Sequence, residues 1–325
     1  MIGTGASAIQ FVPVIREEAE QVTVFQRTPP WVTPHRNRPI TDLERALYRR
    51  VPAAQKAVRG LVYSAREMFV SGMLRNGKGL DKLEKLARRH LNAKITDPVL
   101  RAKLTPDYRP GCKRLLPSND WYPALQKANV EVVTDAITGI TPTGVCTADG
   151  IEHEVDTIVF GTGFRVTDHP IAGKIVGADG RTLGEHWADT GMRAYLGTTV
   201  AGFPNLFMMA GPNTGIGHTS LVVMIEAQLR YVVGALRTMR SRDLASVDVR
   251  PEAMDRYNAE VQEKAATTVW NVGGCASWYL DSEGRNTTLW PDYTFRFRRL
   301  TRTFDPTAYE LVPARRRVRD ALTAR

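Results

Sequence analysis

The amino-acid sequence predicts an α/β fold in which a β-turn-α-β unit carries a helical insertion and is followed by further strands that end in glycine turns. A glycine-rich turn, Gly3-Thr4-Gly5-Ala6-Ser7-Ala8, opens the chain ahead of an amphipathic segment. Apolar residues recur at helical spacing over residues 41–105. Short apolar runs then end in Gly161-Thr162-Gly163 and Ala210-Gly211-Pro212. Together these observations predict a nucleotide-binding type of α/β fold.

The opening turn has the pattern Gly3-x-Gly5-x-x-Ala8, which is typical of a dinucleotide-binding turn. The first glycine permits the tight turn, the second lets the backbone approach a pyrophosphate, and the small third residue lets the helix pack close to the strand. A helix over Ser7–Glu20 would present free N–H groups to the phosphates, and Val22–Phe25 is predicted as the next strand. We expect a Rossmann-like dinucleotide site here, although a glycine turn of purely structural use has the same local pattern.

The residue at the end of the second strand distinguishes proteins that bind NAD from proteins that bind NADP. An NAD enzyme normally carries Asp or Glu there, to accept a hydrogen bond from the ribose 2′-hydroxyl. This chain has Gln26-Arg27-Thr28 instead. A guanidinium cannot accept that bond, but its planar set of donors suits a 2′-phosphate. The sequence therefore favours NADP, and the alternative for Arg27 is an exposed strand-end cation without a ligand.

The remaining elements suggest two domains. Within the insertion, helical spacing is shown by Leu80, Leu83, Leu86 and His90, and Asp97-Pro98 marks a helix start. Later strands are predicted at Val130–Val133, Glu154–Phe160 and Asn205–Met209, followed by a helix over about Thr219–Met239. We predict a nucleotide-binding domain over residues 1–165, with the insertion at about 31–110, and a second domain over 166–325.

Charge and composition narrow the function classes. The formal net charge is +10, and many of the cations are arginines near the C-terminus: Arg296, Arg298, Arg299, Arg302, Arg315, Arg316, Arg317, Arg319 and Arg325. Because no nucleic-acid-binding motif accompanies them, they are interpreted as a solvated surface, and no nucleic-acid partner is expected. The apolar stretch Leu221–Leu236 contains Glu226 and Arg230, so no membrane span is predicted.

The three cysteines, Cys112, Cys146 and Cys275, form no Cys-x-x-Cys pair. Neither a disulfide framework nor a metal site is therefore expected. With no signal peptide either, the sequence predicts a cytoplasmic protein.

A series of short motifs runs along the chain in a fixed order. They are Gly3-Thr4-Gly5-Ala6-Ser7-Ala8-Ile9-Gln10, Val24-Phe25-Gln26-Arg27-Thr28-Pro29, Gly111-Cys112-Lys113-Arg114, Val159-Phe160-Gly161-Thr162-Gly163-Phe164, Gly202-Phe203-Pro204-Asn205-Leu206-Phe207, Ala210-Gly211-Pro212 and Ser277-Trp278-Tyr279. As an ordered set they resemble the Baeyer–Villiger monooxygenases. The resemblance implies a Rossmann-like NADP-binding domain, followed by the C-terminal remnant of a two-dinucleotide-binding flavoprotein fold, with FAD and NADP as cofactors.

The resemblance also implies residue roles. Arg27, Thr28 and Lys113 match residues that grip the 2′-phosphate, and Arg114 matches an arginine that lies against the flavin and stabilises its peroxide. A guanidinium supplies a positive charge for that anion without protonating the nucleophile. Cofactor contacts are further implied for Gly3, Gly5, Ser7, Ala8, Gln10, Thr162, Gly163, Asn213 and Trp278. For His218 an acid or base role is possible, but a solvated or helix-capping histidine is favoured.

The implied reaction inserts oxygen beside a carbonyl through a C4a-peroxyflavin, with an organic ketone and oxygen as substrates. Oxygenation of a nitrogen or sulfur compound by the same cofactors is an alternative. The family carries an FAD-binding glycine motif ahead of the NADP motif, and this sequence does not contain it. A missing N-terminal FAD-binding segment is therefore expected as a partner, and a non-catalytic NADP-binding fragment is the third interpretation.

Overall fold

The computed structural model describes residues 1–35, 37–74, 77–164, 166, 169–275 and 277–314. The chain divides into two compact units. The first consists of Met1–Leu61, Asn76–Phe164 and Gly273–Ser277, and the second of Val62–Arg75, Arg165–Val272 and Trp278–Arg325. A boundary therefore lies beside residue 165, while residues 62–75 group with the second unit and residues 273–277 with the first.

Helices are more numerous than long strands. Over the described residues the helices are α1 (Ala8–Ile15), α2 (Asp42–Arg50), α3 (Pro52–Leu74), α4 (Lys78–Lys94), α5 (Pro98–Lys103), α6 (Trp121–Leu125), α7 (Leu183–Thr190), α8 (Leu221–Ser241), α9 (Pro251–Ala265), α10 (Val269–Val272) and α11 (Thr294–Leu300). The strands are β1 (Val22–Phe25), β2 (Val32–Thr33), β3 (Leu116–Pro117), β4 (Val130–Val133), β5 (Ile137–Ile140), β6 (Gly144–Thr147), β7 (Glu152–Glu154), β8 (Leu244–Val249) and β9 (Tyr309–Pro313). No helix among them is both long and apolar enough to cross a lipid bilayer.

A parallel sheet organises the first unit and confirms the predicted β-turn-α-β start. β1 pairs in parallel with β4. On the other side of β1, Ile2 forms parallel bridges with both Phe25 and Phe160. Gly3 N donates to Phe25 O at 3.0 Å, and Gly161 N donates to Ile2 O at 2.8 Å. The order across the sheet is therefore β4, β1, Ile2 and Phe160, which brings the opening glycine turn beside the turn that begins at Gly161.

Two strand predictions are wrong. The run Glu154–Phe160 divides, because Glu154 ends β7, antiparallel to β6, and Phe160 contributes only a bridge. Asn205–Met209 forms no strand with any residue that the structure describes. Its first residue has a φ of +61°, and its side chain is hydrogen-bonded to Ala245 and Val247 of β8 instead. Both runs have the apolar character of strands, but each lacks a continuous partner backbone.

The helical insertion is confirmed by α2 to α5. Asp97 caps α5, since its carboxylate accepts from Val99 N at 2.9 Å. The predicted helical spacing of Leu80, Leu83, Leu86 and His90 is confirmed by α4, although Leu86 lies off the buried stripe of the helix. That side chain is exposed, and the buried stripe of the helix continues through Ala87 and Leu91 instead.

The core of the second unit is built around α8. This helix begins after Ser220, whose Oγ accepts from Val222 N at 3.3 Å, close to the predicted start. Its buried face carries Met224, Tyr231 and Ala235, which pack in one cluster with residues of β8, α9 and α11. The predicted helix is therefore confirmed.

Candidate dinucleotide site

The glycines at positions 3 and 5 of the opening turn have different surroundings. Gly3 has a φ of +102°, and a Cβ placed on it would lie 2.5 Å from Gly161 O, so only glycine fits against the neighbouring turn. A Cβ on Gly5 would meet no described atom within 4 Å. The space above Gly5 is therefore open, as a site for a bound pyrophosphate requires.

The N-terminus of α1 offers free donors. α1 begins at Ala8, and Ser7 before it makes no side-chain cap. The backbone N–H groups of Gly5, Ala6 and Ser7 have no acceptor among the residues that the structure describes. Unpaired N–H groups at the positive end of a helix dipole form an anion site.

The rest of α1 fits the predicted motif except in length. Ala8 is fully buried against the sheet, as the small third residue of the pattern requires. Gln10 is exposed, and its Nε2 donates to Ala6 O at 2.6 Å. The helix ends at Ile15 rather than at Glu20, because the following residues turn with short-range bonds such as Glu17 N to Val14 O.

The end of β1 is tied to the glycine turn. Thr4 Oγ1 donates to Thr28 O at 3.2 Å, which holds the segment after β1 beside residues 3–8. Gln26 is buried and donates from Nε2 to Lys103 O at 2.8 Å, whereas Arg27 is exposed. The predicted 2′-phosphate residues, Arg27 and Thr28, therefore lie next to the predicted pyrophosphate turn.

A second cation lies close to Arg27. Burial lowers the pKa of Lys113, the positive charge of Arg27 lowers it further, and Asp107 acts in the opposite direction. Lys113 Nζ also lies 5.1 Å from the centre of the Tyr108 ring. Two cations held this close repel each other, and an anion bound between them would relieve that repulsion.

Arg114, the predicted catalytic residue, is exposed. It lines a groove of about 570 Å³ whose walls include Ala6, Gln10 and Pro13 on one side and Ser118 on another. The structure therefore places this guanidinium beside the open face of α1. Thr162 and Gly163 belong to the turn that lies beside the opening glycine turn. Both residues are exposed, and Gly163 has a φ of +90°.

The other two predicted site residues belong to the second unit. Asn213 has a φ of +55° and is buried, and its Nδ2 donates to Asn286 O at 2.6 Å and to Leu289 O at 3.2 Å. The amide nitrogen thus ties the loop at Asn213 to residues 286–289. Trp278 is 49% exposed, with its ring centre 4.4 Å from that of Tyr279.

His218 is neither solvated nor a helix cap, so the favoured interpretation is wrong. Its side chain is fully shielded from solvent, and its Nε2 lies 3.2 Å from Glu67 Oε1. Ser220 provides the cap of α8 instead. Glu67 was not singled out in the sequence, although it shares one helical face of α3 with the buried residues Val70 and Met73.

The cysteine prediction is also wrong. Cys112 and Cys275 form a disulfide, with Cα atoms 6.2 Å apart, and Cys146 is free. Each of the paired residues follows a glycine, Gly111 or Gly274, but nothing local in the sequence pairs two positions so far apart. No cluster of three or more metal-ligating side chains occurs in the described part of the chain.

Comparison with known proteins shows what the chain is similar to. No family model matches the chain. A protein from Streptomyces coelicolor named Baeyer-Villiger monooxygenase is 51% identical over 313 residues, which cover 96% of this chain and 60% of that protein. The chain therefore spans about 60% of the length of this curated relative.

Solved structures agree in fold. An oxidised steroid monooxygenase bound to NADP matches with a TM-score of 0.78 and 27% identity, covering 96% of this chain and 67% of the other. OTEMO in complex with FAD and NADP matches with a TM-score of 0.77 and 25% identity, covering 96% and 66%. The predicted two-dinucleotide-binding flavoprotein fold is thereby confirmed. Nearly the whole chain is therefore similar to proteins named Baeyer–Villiger monooxygenase, and it spans part of their length.

Proposed function

We propose that the chain binds NADPH at the opening glycine turn and acts with FAD as a monooxygenase that inserts oxygen beside a carbonyl. The observation that carries the proposal is the hydrogen bond from Thr4 to Thr28 O, which holds the segment after β1 beside the free backbone donors. Two cations, Arg27 and Lys113, lie near this segment. A 2′-phosphate carries about two negative charges, which match these two cations. The free N–H groups of residues 5–7 would then hold the pyrophosphate.

The described residues also fit part of a flavin site. Thr162 and Gly163 form an exposed turn in which no side chain at position 163 prevents close approach of a ring. When bound, FAD supplies the redox and oxygen chemistry. Arg114 would supply a permanent positive charge beside α1, which stabilises negative charge that develops on a reacting oxygen.

The proposed substrates are an organic ketone and oxygen, and the proposed location is the cytoplasm. The relative from Streptomyces coelicolor is longer than this chain, and the activity of the whole protein belongs to the proposal. An N-terminal FAD-binding segment that this sequence does not contain is proposed to complete the flavin site. Oxygenation of a nitrogen or sulfur compound would use the same cofactors, so products from a ketone and from a sulfide must be compared.

The cofactor assignment is tested with Arg27→Ala. Because charged hydrogen bonds contribute about 1.5–3 kcal/mol, the variant should lose roughly ten- to hundred-fold in affinity for NADPH but little for NADH. Arg50→Ala, which removes an exposed arginine on α2, serves as the matched control. Isothermal titration with both nucleotides gives the result. Equal losses for the two nucleotides would overturn the 2′-phosphate site.

The flavin assignment is tested by absorbance spectroscopy of the purified chain mixed with FAD. Retention of yellow flavin through gel filtration, followed by bleaching on addition of NADPH, supports the monooxygenase. A colourless protein that still binds NADPH supports the non-catalytic alternative.

A further inference from the structure

Cys112 and Cys275 lie at the edge of the candidate 2′-phosphate site, since Lys113 directly follows Cys112. Both cysteines belong to the first unit. Cys112 is fully buried, whereas Cys275 is partly exposed. We propose that the pair is a reversible thiol–disulfide site that controls the affinity for NADPH by fixing Lys113 beside Arg27. This inference rests on the proposed NADPH binding.

The segment that carries Lys113, from Arg109 to Leu116, is anchored at both ends. On its N-terminal side, the guanidinium of Arg109 pairs with Asp81 at 2.8 Å and with Glu84 at 3.3 Å. On its C-terminal side, Leu116 N donates to Trp31 O at 3.0 Å.

Between these anchors, the described hydrogen bonds of the backbone include only a turn from Cys112 N to Arg109 O, at 3.2 Å. The disulfide is therefore the covalent tie between the buried middle of the segment, residues 110–112, and the chain at Cys275. The hydrogen bond from Arg109 N to Gly273 O, at 3.3 Å, would remain after reduction, so the two segments would stay adjacent.

Fixing Lys113 matters because it lies beside a like charge. Without a bound anion, repulsion from Arg27 favours positions of the ammonium group farther from the site. The disulfide restrains the backbone from which Lys113 extends, so less conformational freedom is lost when the nucleotide binds. After reduction that ordering of the backbone would occur during NADPH binding, and the affinity for NADPH would be lower.

Accessibility decides which sulfur reacts. Cys275 is the more exposed of the two residues, so a small thiolate would attack its Sγ, forming a bond to it while the S–S bond breaks and Cys112 leaves as a thiolate. A second thiol displaces the first from Cys275. In balance, the protein gains two thiols and the two small thiols become one disulfide. The cation at Lys113 favours the leaving thiolate of Cys112.

Hydrogen peroxide can reverse the reaction. The Cys275 thiolate attacks one peroxide oxygen, giving a sulfenic acid and hydroxide. The Cys112 thiolate then attacks that sulfur and expels the second hydroxide. In balance, two thiols and one peroxide become the disulfide and two waters.

The disulfide itself is tested by counting thiols in the unfolded chain. After peroxide treatment we expect one titratable thiol, and after reduction three, because Cys146 is free. Mass spectrometry of a digest should identify a peptide that links Cys112 to Cys275. Three thiols after oxidation, or a link through Cys146, would overturn the proposal.

The control of affinity is tested by titrating NADPH and NADH into the oxidised and reduced wild-type chain. We expect reduction to weaken NADPH binding by about five- to ten-fold and to leave NADH binding nearly unchanged. Cys112→Ser and Cys275→Ser should bind like the reduced chain in both conditions, whereas Cys146→Ser should keep the redox response. Near-ultraviolet circular dichroism shows whether the reduced chain stays folded.

Equal NADPH affinity in the oxidised and reduced states would overturn the inference while leaving NADPH binding intact. If no form binds NADPH, the proposed function fails and the control of affinity fails with it. The thiol count decides independently whether the disulfide exists.

Discussion

Nε2 of His218 and Oε1 of Glu67 lie 3.2 Å apart inside the second unit, where both side chains are shielded from solvent. The same carboxylate accepts hydrogen bonds from Thr294, through its backbone N at 3.1 Å and through its hydroxyl. A carboxylate can only accept, so Nε2 of His218 carries the hydrogen. Nδ1 is buried without a described partner, which agrees with a neutral ring. Burial lowers the pKa of His218, while Glu67 acts in the opposite direction.

Removing the Glu67 carboxylate should destabilise the second unit. Glu67→Ala leaves the buried N–H of His218 and the backbone N–H of Thr294 without an acceptor, so we expect a loss of about 2–4 kcal/mol in the free energy of unfolding. Glu67→Gln keeps an acceptor oxygen and should lose less. Urea unfolding followed by circular dichroism measures both, with Glu263→Ala on the exposed face of α9 as control. A Glu67→Ala chain as stable as this control would contradict the network.

His218 should make stability depend on pH near neutrality. Its pKa is lowered in the folded chain, so as the pH falls below about 6.5 the unfolded chain binds a proton first. The free energy of unfolding should therefore decrease from pH 7 to pH 5.5. His218→Gln can still donate to Glu67 but does not titrate, and it should flatten this dependence, whereas His35→Gln at an exposed position should not. Parallel slopes for all three proteins would rule out His218 as the source.

Substitutions of the two glycines in the opening turn should have different effects, one on stability and the other on NADPH binding. Gly3→Ala places a Cβ against Gly161 O at a φ of +102°, and should cost more than about 1 kcal/mol of stability. Gly5→Ala meets no described atom, so it should leave the melting temperature unchanged and still weaken NADPH binding, because the methyl group occupies the ligand's space. Thermal melts and nucleotide titrations of both variants provide the check. Unchanged NADPH affinity in Gly5→Ala would place the pyrophosphate elsewhere.

Arg114→Ala should separate two stages of the proposed reaction in the flavin-loaded protein. Flavin reduction by NADPH should continue, because Arg27 and Lys113 remain. Formation of the oxygenated product should fall by roughly a hundred-fold or more, since a fixed cation near the reacting oxygen is lost. Stopped-flow absorbance and product analysis measure the two stages, again with Arg50→Ala as control. Product formation at the control rate would remove Arg114 from the catalytic site.

Sequence patterns predicted those elements whose conformation depends on residues close together in the chain. The turn at Gly3, the strand Val130–Val133 and the helix that begins near Thr219 follow from glycine geometry, β-branching and apolar spacing. The resemblance to a family added the proposed roles of Lys113 and Arg114, which no spacing would have indicated.

Contacts between distant segments could not be predicted in the same way. Glu67 meets Thr294, and Cys112 meets Cys275, only because the fold brings those segments together. The run Asn205–Met209 failed as a strand for a related reason, since an apolar segment becomes a strand only where a partner backbone lies beside it.

The closeness of Lys113 to Arg27 also couples nucleotide binding to proton uptake. In the free chain, burial and then Arg27 favour the uncharged amine of Lys113. A bound 2′-phosphate would reverse that preference, so NADPH should draw a proton onto Lys113 at alkaline pH, whereas NADH should not. The affinity for NADPH alone should then decline as the pH rises through the range in which the free amine loses its proton. One phosphate group would thereby give two otherwise similar nucleotides different responses to alkalinity.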